Sequence, residues 1–233
     1  MLEKNRLIHK AYIPFLVALL LFVSFGAGSV FAQQYKSESN QVKTRVGNPA
    51  EDATTGQAGK FTFYCQADPQ WNSPNYNCAM KDAGCGPTSM AMVLTYFGNT
   101  MNPQEVDQIF GSRKWRTCGN NESLMPAAIQ TLLPEKGYDV EALSVPLNLT
   151  KAKEYIEKGY LIIGSVSIHI FVIDEVYPER NAFRQRDPIT CNAQGWIERK
   201  NDAPWVGASG TRFPWYYAFA VRKKGITSRL SQE

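Results

Sequence analysis

The chain has 233 residues, 44% of them hydrophobic, and a formal charge of +4. That is enough apolar material for one core of ordinary domain size, and too little charge, with no long basic run, to suggest nucleic acid as a partner. Its two histidines, His9 and His169, are too few for a zinc centre built on several of them.

A short basic region, residues 1–10, precedes an apolar run from Ala11 to Phe25 and small residues leading to Val30-Phe31-Ala32. Small or β-branched residues at the end of such a run resemble a signal-peptidase site, so residues 1–32 read as a signal peptide cleaved after Ala32. The alternative is an uncleaved anchor, because the apolar stretch approaches the ~20 residues that span a bilayer. On either reading the remainder is secreted or extracytoplasmic, and a membrane is a partner only if residues 11–32 are retained. Losing Lys4, Arg6 and Lys10 together with Glu3 lowers the formal charge to +2. Residues 33–60 are polar and read as a flexible linker, 61–224 as the folded domain, and 225–233 as a disordered tail.

Within the domain, Phe61-Thr62-Phe63-Tyr64 reads as a short strand before the loop Gln66 to Trp71, and residues 72–83 as a polar loop. A helix is expected from Pro87 to Phe97, with Met90, Val93, Leu94 and Phe97 on one apolar face and Gly98-Asn99 stopping it. Asn102 caps a helix through Phe110, with Pro103 in its first position and Glu105 completing a capping box. Ser123 precedes a helix to Leu133, ended by Gly137. Tyr138 to Leu143 reads as a strand, and Thr150 caps a helix from Lys151 to Lys158. The period then changes. Residues 160–167 and 169–176 are strands rich in β-branched residues, followed by 183–187, closed by Pro188, and 215–221. Helices first and an antiparallel sheet afterwards make an α+β fold.

The segment Gly84-Cys85-Gly86-Pro87-Thr88-Ser89 sets one cysteine where a loop becomes a helix. A sulfur there faces unpaired N–H groups and the positive end of the helix dipole, which favour the thiolate, the form that attacks carbonyls. The flanking glycines permit a tight turn and leave space beside the sulfur. Cys85 therefore reads as an activated nucleophile. With His9 in the leader, His169 is left as the base, and a cysteine–histidine hydrolase of this kind requires no metal or organic cofactor.

The five cysteines are Cys65, Cys78, Cys85, Cys118 and Cys191. If Cys85 stays free in an oxidising compartment, the other four can form two bridges in three ways. Cys65–Cys78 with Cys118–Cys191 is the first choice, because the first bridge would pin the loop before the nucleophile at a gain on the order of 3 kcal/mol.

Gln66-x-Asp68-Pro69-x-Trp71, then Gly84 to Met92, then His169 opening an apolar strand, then Asp187-Pro188, together resemble the papain-like cysteine peptidase superfamily. The likeness is to the bacteriocin-processing, C39-like peptidase family and its extracytoplasmic relatives, over most of residues 61–223. It implies a papain-like fold, with a helical half whose nucleophile helix packs on a C-terminal antiparallel sheet. Cys85 would be the nucleophile and His169 the proton carrier. Asp187 would orient the imidazole, with Asn192 and Asp174 as rivals, and the Gln66 amide would join the Cys85 N–H in an oxyanion hole. Trp71, Asp68 and Trp115 would shape or pack the cleft. The substrate would be a peptide or protein, with cell-wall peptide as an alternative, acted on by a monomer. A non-catalytic binding module on the same scaffold is the reading from another class. No ABC-transporter domain is present in the sequence, so transport-coupled leader removal is not expected. Ile168 also stands where the family has a glycine before the histidine.

Overall fold

Apart from the strand Tyr138–Leu143, apolar residues recur at helical spacing before residue 158 and in strand-like runs after it, and the computed structural model follows that division. It describes residues 61–71, 79–115, 124–192, 194–207 and 209–225, all within one unit of residues 44–233. The expected leader 1–32, linker 33–60, tail from residue 226 onward, Cys78, Cys118 and Ser123 lie outside the described residues.

The helices are α1 Met80–Ala83, α2 Cys85–Tyr96, α3 Pro103–Ser112, α4 Leu124–Glu135 and α5 Leu149–Glu157. The strands are β1 Tyr138–Leu143, β2 Leu161–Val166, β3 His169–Tyr177, β4 Ala182–Arg186, β5 Ile197–Lys200, β6 Trp205–Val206, β7 Arg212–Phe213 and β8 Trp215–Lys223. Six of them form an antiparallel sheet in the order β1-β8-β2-β3-β4-β5, while β6 and β7 pair separately. This is the expected mixed α+β layout.

Helix α2 is the centre of the helical half. It is buried from Gly86 to Leu94, on every side rather than on the one face expected from its periodicity. A helix apolar all round belongs in an interior. Here it packs with Val106 and Phe110 of α3, with Ile129, Leu132 and Leu133 of α4, and with Ile163, Ile170 and Val172 from one face of the sheet. Ile162, Phe171, Ile173 and Phe183 belong to a second core with Leu149, Ala152 and Ile156 of α5. Successive strand residues point to opposite faces. Because both faces are covered, β2 and β3 read as continuous apolar runs instead of alternating ones.

Several boundaries differ from the sequence expectation. Phe61 to Tyr64 joins no ladder; its rings are held by packing, Phe61 on Tyr96 at 5.7 Å and Tyr64 through its hydroxyl to Thr95 at 3.3 Å. Helix α1 occupies part of the stretch read as loop. Helix α2 begins at Cys85, so Pro87 is its third residue, still within the first turn, where a missing N–H costs nothing. Asn148 rather than Thr150 caps α5, accepting the Lys151 N–H at 3.1 Å. The box at Asn102 forms as read: Asn102 Oδ1 accepts from the Glu105 N–H at 2.9 Å, and Glu105 Oε2 accepts from the Asn102 N–H at 2.8 Å.

Gly164 on β2 shows how closely the second core is filled. A Cβ there would lie 2.7 Å from Phe171 Cε2 and 2.9 Å from Trp215 Cζ3. Gly164→Ala is expected to destabilise the fold by about 1–3 kcal/mol, read as a lower urea midpoint at unchanged slope. A wild-type midpoint would contradict this packing.

Candidate active site

The first turn of α2 is built around backbone close to the sulfur. Gly84, its N-cap, offers no capping side chain, so the first-turn N–H groups are left for other partners. A Cβ at Gly84 would collide with the Met80 carbonyl of α1, and one at Gly86 would lie 3.1 Å from Met125 Sδ. Close approach of backbone therefore demands glycine at Gly84, while Gly86 packs tightly on the Met125 side chain. Cys85 is half-buried and the one free cysteine among the described residues, and the backbone at Ile170 and Gly86 favours its charged form.

His169 begins β3 after the turn Ser167-Ile168, with Val166 directly opposite it on β2. Ile168 thus sits in a tight hairpin turn and does not displace the start of the strand. The imidazole is buried and hydrogen-bonded to Cys85 on one side; its Nε2 lies 2.7 Å from Asp187 Oδ1 on the other. Asp187 is fully buried. With Nε2 facing the carboxylate, Nδ1 is the nitrogen left for the sulfur.

The charges of this trio oppose their own desolvation. Burial penalises the Cys85 thiolate, yet the hydrogen bond and charge of His169, with the backbone at Ile170 and Gly86, hold the thiol below its usual range. Burial likewise penalises the His169 cation, but Asp187 and Cys85 together raise its pKa to about 9. Asp187, opposed by burial, is held down by His169, the Ile189 N–H and the Thr190 hydroxyl. The shifts run in opposite directions, the thiol down and the imidazole up to about 9, so each group favours the charged form of the other. Stability gained from the raised His169 is complete below about 6.5, its unfolded value, and is lost as pH rises through about 9.

Asp187 is fixed by its own strand end and the following turn. Gln185 Nε2 donates to it at 3.1 Å, the Ile189 N–H at 3.0 Å and Thr190 Oγ1 at 2.8 Å. The two rivals are engaged elsewhere. Asp174 accepts from Arg184 at 2.8 and 3.1 Å and from Arg186 at 2.7 Å; Asn192 donates to the Trp196 carbonyl and accepts from the Gly195 N–H. Gln66 is buried, its N–H donating to the Pro188 carbonyl at 2.8 Å and its Nε2 to the Lys81 carbonyl at 3.0 Å. It is thereby held against the helix that leads into Cys85, and Nε2 retains a second hydrogen. Trp71 packs at the base of the same loop, its indole donating to the Cys65 carbonyl at 3.0 Å, and Asp68 accepts from Gln70. Trp115 packs edge-on against Phe110.

The bridge in the structure is Cys65–Cys191, with Cα atoms 5.0 Å apart, and not the Cys65–Cys78 or Cys118–Cys191 pairs expected. Short spacing favoured the first of those, but the fold lays the Gln66 loop against the Asp187 loop, which brings residues 126 apart into bonding range. Three further supports of the site were not read from the sequence. Ser89 lies one turn after Cys85, and its hydroxyl donates to the Ile170 carbonyl at 3.2 Å, tying α2 to the start of β3. The i, i+4 spacing of Cys85 and Ser89 was the available signal. Trp205 covers His169 with ring centroids 4.3 Å apart, and Arg199 lies over that indole at 5.0 Å and 4.0 Å from Asp187 Oδ2. Both come from late short strands with no local signature.

The model of the Peptidase_C39 like family matches residues 59–207, a span holding Gln66, Cys85, His169 and Asp187. Among solved structures the chain is similar to the peptidase domain of Streptococcus ComA, a bifunctional ABC transporter involved in a quorum-sensing pathway. The two are 16% identical, with 60% of this chain and 90% of that one covered, at a TM-score of 0.40. No curated protein matches.

Iodoacetamide labelling of the full chain reads the shift of the thiol directly. Cys85 is expected to react with a midpoint below the ~8.5 of a free thiol. In Asp187→Asn the imidazolium loses its counter-ion and the midpoint rises. A profile centred near 8.5 in both proteins would contradict the assignment.

Proposed function

The chain belongs to the Peptidase C39-like family, a family of cysteine peptidases, and on that premise we propose that it is an exported thiol hydrolase cleaving peptide bonds through an acyl-enzyme on Cys85. The observation that carries this reading is the line Cys85–His169–Asp187, in which a buried imidazole interacts with the half-buried sulfur on one side and bonds a buried carboxylate on the other. In the first step the thiolate attacks the scissile carbonyl carbon. Charge builds on the carbonyl oxygen, where the Cys85 N–H and Gln66 Nε2 stabilise it. His169 gives its proton to the leaving amine, the C–N bond breaks, and a thioester remains. The neutral imidazole then takes a proton from water, whose oxygen attacks the thioester. Collapse of that intermediate releases the acid and restores thiolate and imidazolium. Asp187 remains ionised, orienting the ring and stabilising its charged form. Trp205 keeps water from the His169–Asp187 bond.

Export is supported by the Cys65–Cys191 bridge, since such bonds persist in oxidising compartments. The substrate class is a peptide or protein. Peptidoglycan stem peptides are amides open to the same chemistry and form the second arm of the test.

Purified full chain is expected to release new amines from a peptide library, and Cys85→Ala and His169→Ala to abolish that release. Gln66→Ala should lower kcat about 10²–10³-fold, the usual loss for one oxyanion donor. Product from peptidoglycan alone would reassign the substrate to the cell wall. No product from either, with a sulfur no more reactive than a model thiol, would leave a binding module.

A further inference from the structure

We propose that the Cys65–Cys191 disulfide is the positioning clamp of the Gln66 amide, so that turnover, but not the charge state of Cys85, depends on that bond being closed. The inference rests on the reading of Gln66 as an oxyanion donor. Cys65 immediately precedes Gln66, and Cys191 follows Asp187 by four residues, so the bond joins the two loops that flank the sulfur.

The loops differ in what else holds them. Asp187 has His169, Gln185, the Ile189 N–H and Thr190 as hydrogen-bond partners, all from β3, its own strand or its own turn. It keeps its place without help from the first loop. Residues 61–66 join no ladder. Gln66 is tied to its surroundings by one backbone hydrogen bond to Pro188 and one from its side chain to Lys81. The disulfide is the covalent tie beside them. It is anchored at both ends: the Cys65 carbonyl accepts from the Trp71 indole and the Asp68 N–H, and Cys191 is held at φ +45°, a left-handed conformation that a residue with a Cβ adopts only when its surroundings impose it.

Opening the bond therefore leaves the Gln66 loop held to the Asp187 loop by the Gln66–Pro188 hydrogen bond and packing, without a covalent tie, while Cys85, His169 and Asp187 keep their own partners. A donor displaced by about 1 Å from a developing oxyanion costs on the order of 10²-fold in rate. The loss belongs to kcat, because the oxyanion exists only after attack.

The test is a cycle of wild type, Cys65→Ser/Cys191→Ser, Gln66→Ala and the combined triple variant, each measured for kcat, KM and the pH profile of Cys85 alkylation. The serine pair is expected to lose about 10² in kcat with little change in KM and a wild-type alkylation profile. In the Gln66→Ala background the serine pair should cause no further loss, since both changes remove the same donor. Impaired Gln66→Ala with wild-type kcat in the serine pair would overturn the clamp alone. Losses that multiply in the triple variant, or a shifted alkylation profile, would also overturn it by showing a general disturbance. A wild-type kcat in Gln66→Ala would overturn the donor role and the clamp together, while leaving the Cys85–His169 assignment standing. Should the serine pair not fold, the folded wild type can be opened by dithiothreitol. That dithiol gives two electrons and two protons to the S–S bond, leaves thiols on Cys65 and Cys191, and departs as its cyclic disulfide. The same kcat loss, reversed on reoxidation, is expected; unchanged kcat after complete reduction would overturn the proposal.

Discussion

One imidazole held between a sulfur and a carboxylate is the interaction on which the rest of this structure depends. Taken singly, each member of the Cys85–His169–Asp187 trio would lose its charge on burial, because a charge removed from water without a partner costs several kcal/mol. Taken together, each favours the charged form of its neighbour. The ring faces sulfur on one side and carboxylate on the other, and each anion is backed by further donors, Ile170 and Gly86 for the sulfur and Ile189, Thr190 and Gln185 for the carboxylate. The order of charges matters as much as their presence. A sulfur beside a ring without Asp187 would share one proton with a weaker base.

The fold supplies rigidity to this arrangement by burying the elements that carry it more completely than their chemistry alone requires. Helix α2 is enclosed on all sides, and β3 lies inside a sheet covered on both faces, so neither can rotate without opening a core. Ser89 joins the two at the level of the site. The Gln66 and Asp187 loops, by contrast, are irregular, and are fastened by hydrogen bonds and the disulfide instead of by ladders. Reactive atoms thus sit where regular, well-packed elements meet loops that a covalent bond restrains. Preorganisation of that kind is what lets fixed dipoles act on a transient charge.

Much of this was legible in the sequence, and the exceptions have physical causes. Gly84-Cys85-Gly86-Pro87 announced a helix start around a sulfur because only close backbone approach makes two glycines useful there. The box at Asn102 and the strand Tyr138–Leu143 carry their own local signals, whereas the turn Ser167-Ile168 begins one residue before the single-residue break that the sequence suggests. Long-range facts are different in kind. The partner of Cys65 is decided by how the Gln66 and Asp187 loops meet, which spacing does not encode. The shield of Trp205 and Arg199 depends on short strands whose pairing is set by the tertiary fold. Phe61 to Tyr64 looked like a strand because its aromatics suit one, yet those rings serve as anchors on α2. Asn148 and Thr150 are both competent caps, and only the backbone angle at entry chose between them.

The central claim is the charge on the His169 ring at neutral pH. With only two histidines in the chain, carbon-13 labelling of histidine gives a spectrum in which His169 can be followed by NMR as pH is raised. The account predicts an imidazolium that persists through neutrality and titrates at about 9, with the midpoint falling in Cys85→Ala as one of the two facing anions is lost. A ring that titrates near its ordinary value of about 6.5, and does so equally with and without the Cys85 sulfur, would contradict it.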